Sequence, residues 1–470
     1  MKCAIVYPQI ETNFLKRKLF INNNSTIPFH GIGLIISYCN QNNENVDFID
    51  ARSFNNYKNF ADKIKKYDLV GYSIMSVNAE KAFNLIKVNK DINKNVIICV
   101  GGVDPSIRPD IYVDNDLIDQ VICGEGEIAF LNLVKMVKNN YLVEKLVFGE
   151  KIEDLDTISF IDRSLFPHET IYDYHYYPSE NRLDIKMEPK NPYFTFITSR
   201  VCKYNCSFCQ PVSKKIFGKK ERVRTVKNFI DELKDIRRKH GMNSFSIMDD
   251  NFLQNRDWIE KFIEMYEETH MDLKFELLSR VDHIYNNRDL IPKLKDIGFF
   301  ATFIGFESGS DKILKYLKKG TTAILNEKSA QILYDNKIST VASMMFGFPN
   351  ETHEDYKLTI DFVSKFKKMN FVFNAYNPLP GSALYNELEE KGLIYEKSKN
   401  IRFYVFIIIP RIKHVNYFSV NWTILKCGLI SSKNNFERGF RIMAFIFSNI
   451  VIIFLTLYFI LYEKINDNMK

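Results

Sequence analysis

The stretch "FITSRVCKYNCSFCQ", residues 196–210, places three cysteines within eight positions, directly behind a short apolar run. A structural zinc usually takes four protein ligands, and a disulfide framework wants an even count. Cysteine thiolates also hold iron–sulfur clusters, whose usual complement is four. Cys202, Cys206 and Cys209, spaced C-x3-C-x2-C, supply only three. They would leave one iron open, as an enzyme leaves a metal position free for substrate. A zinc site with a remote fourth ligand and three incidental thiols are the other readings this spacing allows.

Outward from this stretch, strands and helices alternate. The run "YFTFITS" is followed by a helix at 225–240, "SFSIMDD", a helix from about 256, "KFELLSR" and "FATFIGFE". Then come "STVASMMFGFP", a helix at 352–368 and "FVFNAYNPLP". In the first helix Val226, Phe229, Ile230, Leu233 and Ile236 recur at helical spacing, and Gly241 stops it. The 352–368 helix opens with Thr352 and Asp355 in capping-box spacing. Six strand–helix units in residues 191–395 predict a partial (βα)6 TIM barrel. The chemistry of such a barrel sits at the carboxyl ends of its strands. A cysteine loop behind the first of these strands could wrap a cubane whose open iron chelates the amino and carboxylate groups of S-adenosylmethionine (SAM).

The first 145 residues read as a separate Rossmann-like open parallel sheet: "CAIVY" (3–7), "NVDFID" (45–50), "DLVGYSI" (68–74), "NVIICVGG" (95–102) and "QVICGEGE" (120–127), with helical stretches between. Small residues fall at the strand ends, where ligands of such sheets lie. Residues 146–190, rich in Pro, Tyr and acidic side chains, read as an interdomain connection.

Composition sets the bounds. A 470-residue chain of 46% hydrophobic content is globular and large enough for two or three domains. The +7 charge is spread through 64 basic and 57 acidic residues, without a dense basic run, which argues against nucleic acid. The other cysteines, Cys3, Cys39, Cys99, Cys123 and Cys427, are scattered singly in apolar stretches and suit a reducing cytoplasm. Region 396–470 ends differently. Residues 442–462, "IMAFIFSNIVIIFLTLYFILY", carry no charge and are long enough to span a bilayer. Arg438 and Arg441 precede them, so the expectation is a cytoplasmic enzyme anchored to the inner face of the cell membrane. A very apolar helix buried against the body is the alternative.

The chain resembles the cobalamin-binding radical SAM enzymes over roughly residues 1–395. "CKYNCSFC" matches their 4Fe-4S motif, and the resemblance places Phe208 near the adenine of SAM. "MDDNF" (248–252) resembles the segment that approaches the SAM amino group, which makes Asp249 and Asp250 candidates. "GFESGSD" (305–311) implies Glu307 as a ribose or methionine contact, and "ELLSR" offers Arg280 to the carboxylate. "GFPNET" and "PLPGS" add Gly347 and Pro380 as SAM contacts. In the N-terminal half "SIM", "GG" and "GEGE" resemble the cobalamin loops, which implies Ser73, Met75, Ser76, Gly101, Gly102, Gly124 and Glu125 as contacts. The D-x-H-x-x-G cobalt-ligand signature is missing: "PFHGIG" has Pro28 where Asp would stand, and His30 reads as structural.

The resemblance implies reductive SAM cleavage to a 5′-deoxyadenosyl radical, then methylation of an unactivated carbon from methylcobalamin. Its partners would be a flavodoxin- or ferredoxin-type reductant and a small-molecule or lipid-like substrate. Relatives that form rings or insert oxygen keep cyclisation open. A methylthiotransferase would need three more clustered N-terminal cysteines, and a membrane-tethered cobalamin- or metal-binding protein would have no use for SAM cleavage.

Overall fold

The computed structural model describes residues 1–9, 30–141, 143–166, 192–210, 212–395, 410–432 and 435–468. Parts of the expected connection (146–190) and of region 396–440 therefore lie outside the described residues, as does Pro28. The chain forms two compact units. One comprises Met1–Tyr176, Pro189–Lys203 and Pro211–Asp250, the other Tyr177–Glu188, Tyr204–Gln210 and Asn251–Lys470.

The first unit holds six parallel strands: β1 (Cys3–Tyr7), β2 (Val46–Asp50), β3 (Leu69–Ser73), β4 (Ile97–Gly101), β5 (Gln120–Gly124) and β6 (Leu146–Gly149). Their spatial order is β2-β1-β3-β4-β5-β6. The alternation of side chains along β1 explains its unbroken apolar sequence. Ala4 and Val6 enter a core with Phe60 of helix Tyr57–Ile64 and Leu85 of helix Ala79–Ile92. Cys3, Ile5 and Tyr7 enter another with Ile36 of helix His30–Gln41 and Phe130 of helix Glu127–Lys138. Between β1 and β3 the strand order reverses, and the ligand crevice of a doubly wound sheet lies at the carboxyl ends flanking that point. Residues 146–149, expected in the connection, instead form edge strand β6, paired with β5 from Val121↔Leu146 to Gly124↔Gly149. Their short length and the neighbouring Lys145 hide the strand in the sequence.

The same unit contains β7 (Tyr193–Phe196), the short antiparallel pair β8 (Ser199–Arg200) and β9 (Arg222–Val223), and β10 (Ser244–Ile247), which runs parallel to β7. Helix Val226–His240 is built as its sequence indicates. The Thr225 side chain accepts from the Asn228 N–H, and Gly241 ends the helix at φ 65°. The apolar stripe is buried, worth about 1.5–3 kcal/mol for each large side chain.

In the second unit β11 (Lys274–Ser279), β12 (Phe299–Glu307), β13 (Ser339–Phe346) and β14 (Asn370–Ala375) pair in parallel and in chain order. Helix His353–Lys365 starts on the full capping box of Thr352 and Asp355. At the C-terminal end, helix Asn435–Asn468 packs against helix Tyr417–Ile430, with the Asn421 amide donating to Asn449 Oδ1 at 2.9 Å. Ser448 and Ile452 are buried there, while Met443 and Phe454 remain 72% and 70% exposed. Its apolar span runs Glu437–Tyr458. This helix is therefore neither a buried core element nor, by length and composition alone, a demonstrated membrane span.

Candidate active site

The root of the cysteine loop is fixed from two sides within the first unit. The buried Asp249 carboxylate accepts from the Thr198 N–H at 2.7 Å, from Thr198 Oγ1 and from Ser199 Oγ at 2.7 Å. Burial raises its pKa, against the pull of these hydrogen bonds. Glu125 is buried beneath two guanidiniums: Arg200 Nη1 donates to its Oε2 at 2.5 Å, and Arg222 Nη2 pairs with its Oε1. Arg200 also pairs with Glu127. So "GEGE" spends both of its carboxylates and "MDD" one on holding "TSR", and the Glu125 oxygens are taken by arginine. Val201, next in line, is a buried β-branched residue at φ 90°. Such strain persists only where surrounding structure dictates it, and it clusters at functional sites. Cys202 follows, partly exposed.

The rest of the loop is held in the second unit. Ser207 donates its N–H to Leu317 O and accepts from the Leu384 N–H, both at 2.8 Å. Gln210 Nε2 reaches Pro380 O at 2.9 Å. Cys206 is partly exposed and Cys209 exposed. Arg280, at the carboxyl end of β11, donates from Nη1 to Cys206 Sγ at 3.3 Å, from Nε to Asp282 at 2.9 Å and from Nη2 to Lys319 O. Its guanidinium lies 3.4 Å from the centroid of the Tyr204 ring. Burial would lower the Arg280 pKa, but Asp282 and the Cys206 sulfur hold it above its ordinary value. Tyr204 is in turn pushed up to about 12, by burial and by its hydrogen bond to Asp282.

Glu307 closes β12 at φ 67°, where the register with β13 shifts. Its carboxylate folds back over Gly305, so closely that a Cβ there would meet Oε1 at 1.9 Å. Lys319 Nζ donates to Glu307 Oε1 at 2.8 Å and lies 5.7 Å from the Phe208 ring centroid. Cys206, Arg280, Lys319, Glu307 and Phe208 thus form one connected group. Tyr204, Asp282 and Lys319 were not singled out by the sequence; the only hint was Tyr204's position inside the cysteine motif. Gly347 takes φ 89°, and its N–H and that of Phe348 donate to Glu351 Oε2 at 2.6 and 3.1 Å. Asp250 is exposed.

At the ends of β3, β4 and β5, Ser73, Met75, Ser76, Gly101, Gly102 and Gly124 keep part of their surface open, although the strands are buried. Gly102 (φ 99°) is needed there because a Cβ would meet Ile74 O at 3.0 Å. The Ile74 N–H donates to Gly101 O at 2.8 Å, and Ser76 Oγ donates to the buried Asp104 at 2.5 Å. His30 is buried, with Nε2 at 2.9 Å from Thr195 Oγ1, the packing role the sequence suggested.

Comparison with known proteins places these features. The Radical SAM superfamily model matches residues 196–363, and the B12 binding domain model matches residues 19–134. The chain belongs to the cobalamin-binding radical SAM enzymes. An uncharacterised methyltransferase of Pyrococcus horikoshii is 26% identical over 427 residues, 88% of each chain. An anaerobic magnesium-protoporphyrin IX monomethyl ester cyclase of Rubrivivax gelatinosus is 27% identical over 71% of this chain and 60% of its own. In fold, the enzyme is similar to the radical S-adenosylmethionine methyltransferase TsrM of Kitasatospora setae, solved with cobalamin and an iron–sulfur cluster. That likeness has a TM-score of 0.63 at 15% identity, over 83% of this chain and 78% of that one.

The cofactors of this family are a 4Fe-4S cluster, SAM and cobalamin. The residues present fit them. Among the eight cysteines only Cys202, Cys206 and Cys209 are accessible. Burial pushes Cys3, Cys39 and Cys427 up to about 12 and raises Cys99 and Cys123 as well. The trio is therefore the set open to a metal and the others are inert thiols; in particular, none of the four N-terminal cysteines suits a second cluster. An arginine donating to Cys206 suits a sulfur that carries negative charge. Among the described residues, no three His, Cys, Asp or Glu side chains gather tightly enough to hold one metal ion.

Proposed function

We propose that the enzyme methylates an unactivated carbon of a small, poorly water-soluble substrate. The observation that carries this reading is the accessible C-x3-C-x2-C trio behind β7, with Arg280 donating to Cys206 Sγ at 3.3 Å. When bound, the cluster and SAM supply reductive carbon–sulfur cleavage to a 5′-deoxyadenosyl radical, and cobalamin supplies a transferable methyl group. The protein's share is placement. Arg280 holds Cys206 and ties it to Lys319. Phe208 is offered to the adenine, Glu307 to the ribose or methionine part of SAM, and the Gly347 and Pro380 loops to its remaining edges. Asp249 fixes the loop root, with Asp250 beside it exposed toward solvent. On the sheet domain, the small residues at the ends of β3, β4 and β5 are the proposed cobalamin contacts.

Methyl transfer is favoured by the methyltransferase relative that spans 88% of both chains. Ring closure is the second reading, because a cyclase is also among the relatives. The lipid-like character of the substrate and a bilayer-bound location rest on the exposed apolar face of helix Asn435–Asn468.

The test is anaerobic reconstitution with iron, sulfide and hydroxocobalamin, followed by reduction with methyl-labelled SAM. The wild type should carry iron and form 5′-deoxyadenosine, and Cys206→Ala should form at least ~100-fold less, since each thiolate is indispensable to a three-thiolate cluster. Label in the product means methylation. Radical formation with no label transferred means cyclisation or another rearrangement. Zinc in place of iron, or undiminished 5′-deoxyadenosine from Cys206→Ala, would overturn the reading.

A further inference from the structure

Around Cys206 the second unit carries a clamp that ligation alone does not require. Tyr204, just upstream of Cys206 in the same loop, lies under the Arg280 guanidinium, whose carbon is 3.4 Å from the ring centroid. The Asp282 carboxylate joins the two. Its Oδ1 accepts from Arg280 Nε at 2.9 Å, and its Oδ2 accepts from the Tyr204 hydroxyl. That hydroxyl has a single proton and gives it to Asp282, so His283 Nε2, 2.8 Å away, is the donor of the next contact.

Arginine reaches its partners on a long, flexible stem, yet here every part of it is held. The Arg280 backbone N–H donates to the buried Asn251 Oδ1 at 3.3 Å, and Nη2 donates to Lys319 O. The flat face rests on the Tyr204 ring. A guanidinium can stack on an aromatic face while donating hydrogen bonds in its own plane. Ring and carboxylate therefore fix both the plane and the direction in which Nη1 points. That direction is Cys206 Sγ, 3.3 Å away. The Arg280 and Asp282 side chains are only 7% and 13% exposed, so water competes little for these contacts.

We propose that Tyr204 is a positioning residue for the cluster: with Asp282 and His283 it holds the Arg280 guanidinium against the Cys206 sulfur, and so raises the reduction potential of the cluster bound there. The inference rests on the cysteine trio holding the 4Fe-4S cluster. One electron from the external reductant adds a negative charge to thiolate-bound iron. A cation that donates an N–H to one of the sulfurs stabilises this reduced form more than the oxidised one, and hydrogen bonds to sulfur are among the settings of such potentials. Without Tyr204, the guanidinium is free to leave Cys206, and the cluster becomes harder to reduce.

The full chain is reconstituted with iron and sulfide, without SAM or cobalamin, as wild type, Tyr204→Leu, Tyr204→Phe, Arg280→Gln and the Tyr204→Leu, Arg280→Gln double variant. Electron paramagnetic resonance at fixed applied potentials reads the reduced-to-oxidised ratio per bound cluster. Arg280→Gln should lower this ratio ~10-fold, equivalent to about 59 mV for a one-electron couple. Tyr204→Leu should lower it in the same direction, several-fold. Tyr204→Phe keeps the ring and loses the hydroxyl, and should fall between Tyr204→Leu and wild type. In the Arg280→Gln background Tyr204→Leu should have no further effect, because two changes that act through one contact do not add. If Tyr204→Leu assembles no cluster, Tyr204→Phe carries the same comparison, alone and in the Arg280→Gln background. Unmoved ratios in the Tyr204 variants overturn the proposal. So does a Tyr204 effect of equal size in the double variant, which would make the tyrosine a plain cover over the cluster. A wild type that binds zinc instead of iron overturns this proposal and the cluster reading together; an iron cluster indifferent to Tyr204 overturns this proposal alone.

Discussion

At the scale of single residues, environment and not type decides what each polar side chain does. Glu351 shows this in the loop behind β13. Its Oε2 accepts two backbone N–H groups, while Oε1 is buried without a partner. Burial pushes its pKa from the ordinary 4.5 up to about 8, against the two hydrogen bonds and with Asp355 adding to the rise. Between those values the folded chain holds a proton that the unfolded chain releases, so stability falls as pH climbs from about 4.5 to 8 and stays low above that. Glu351→Gln keeps an acceptor for both N–H groups and has nothing to ionise. Its apoprotein should melt at least ~3 °C above wild type at pH 9 and match it near pH 5. Parallel melting curves across that range would refute the assignment. The sequence marked "GFPNET" as a site loop but gave no hint of this, because desolvation depends on the atoms that close over a side chain.

At the scale of elements, one acidic loop was legible in position and not in role. "GEGE" ends β5 where a ligand loop was expected, and Gly124 stays open there. Glu125 turns inward to Arg200 and Arg222, and also accepts the Ile152 N–H at 3.1 Å. Removing one member of a buried, paired set costs about 3–5 kcal/mol, because the charges left behind are unmatched. Glu125→Ala should therefore lower the thermal midpoint by more than ~5 °C before any cofactor is added. If apo stability is unchanged and only cobalamin affinity drops, Glu125 is a ligand contact after all. Elsewhere local signals sufficed. The 226–240 helix carries its apolar stripe and its Gly241 stop where the sequence indicated, and the structure adds the Thr225 cap. Strand β6 was missed because four residues at a sheet edge alternate too briefly to register.

At the scale of the whole molecule, the C-terminal helix is the feature on which location depends. One side packs on helix Tyr417–Ile430 through Asn421 and Ser448, and the other presents Met443, Ile446, Phe447 and Phe454 to solvent. With an apolar span as long as Glu437–Tyr458, the full chain should float with phosphatidylglycerol-containing vesicles, and a chain ending at Ser432 should not, while both retain iron. A full chain that stays in the aqueous fraction would remove the lipid-surface reading. The sequence by itself determined the alternation of strands and helices and the three thiols that can carry a cluster. Those properties rest on periodicity and spacing between neighbours in the chain. Only the tertiary structure decided which carboxylates are spent as struts, which arginine holds Cys206, and that Arg163 is buried with two donors unmet. Each of these depends on charges brought together from residues far apart in sequence, and on the water excluded when they meet.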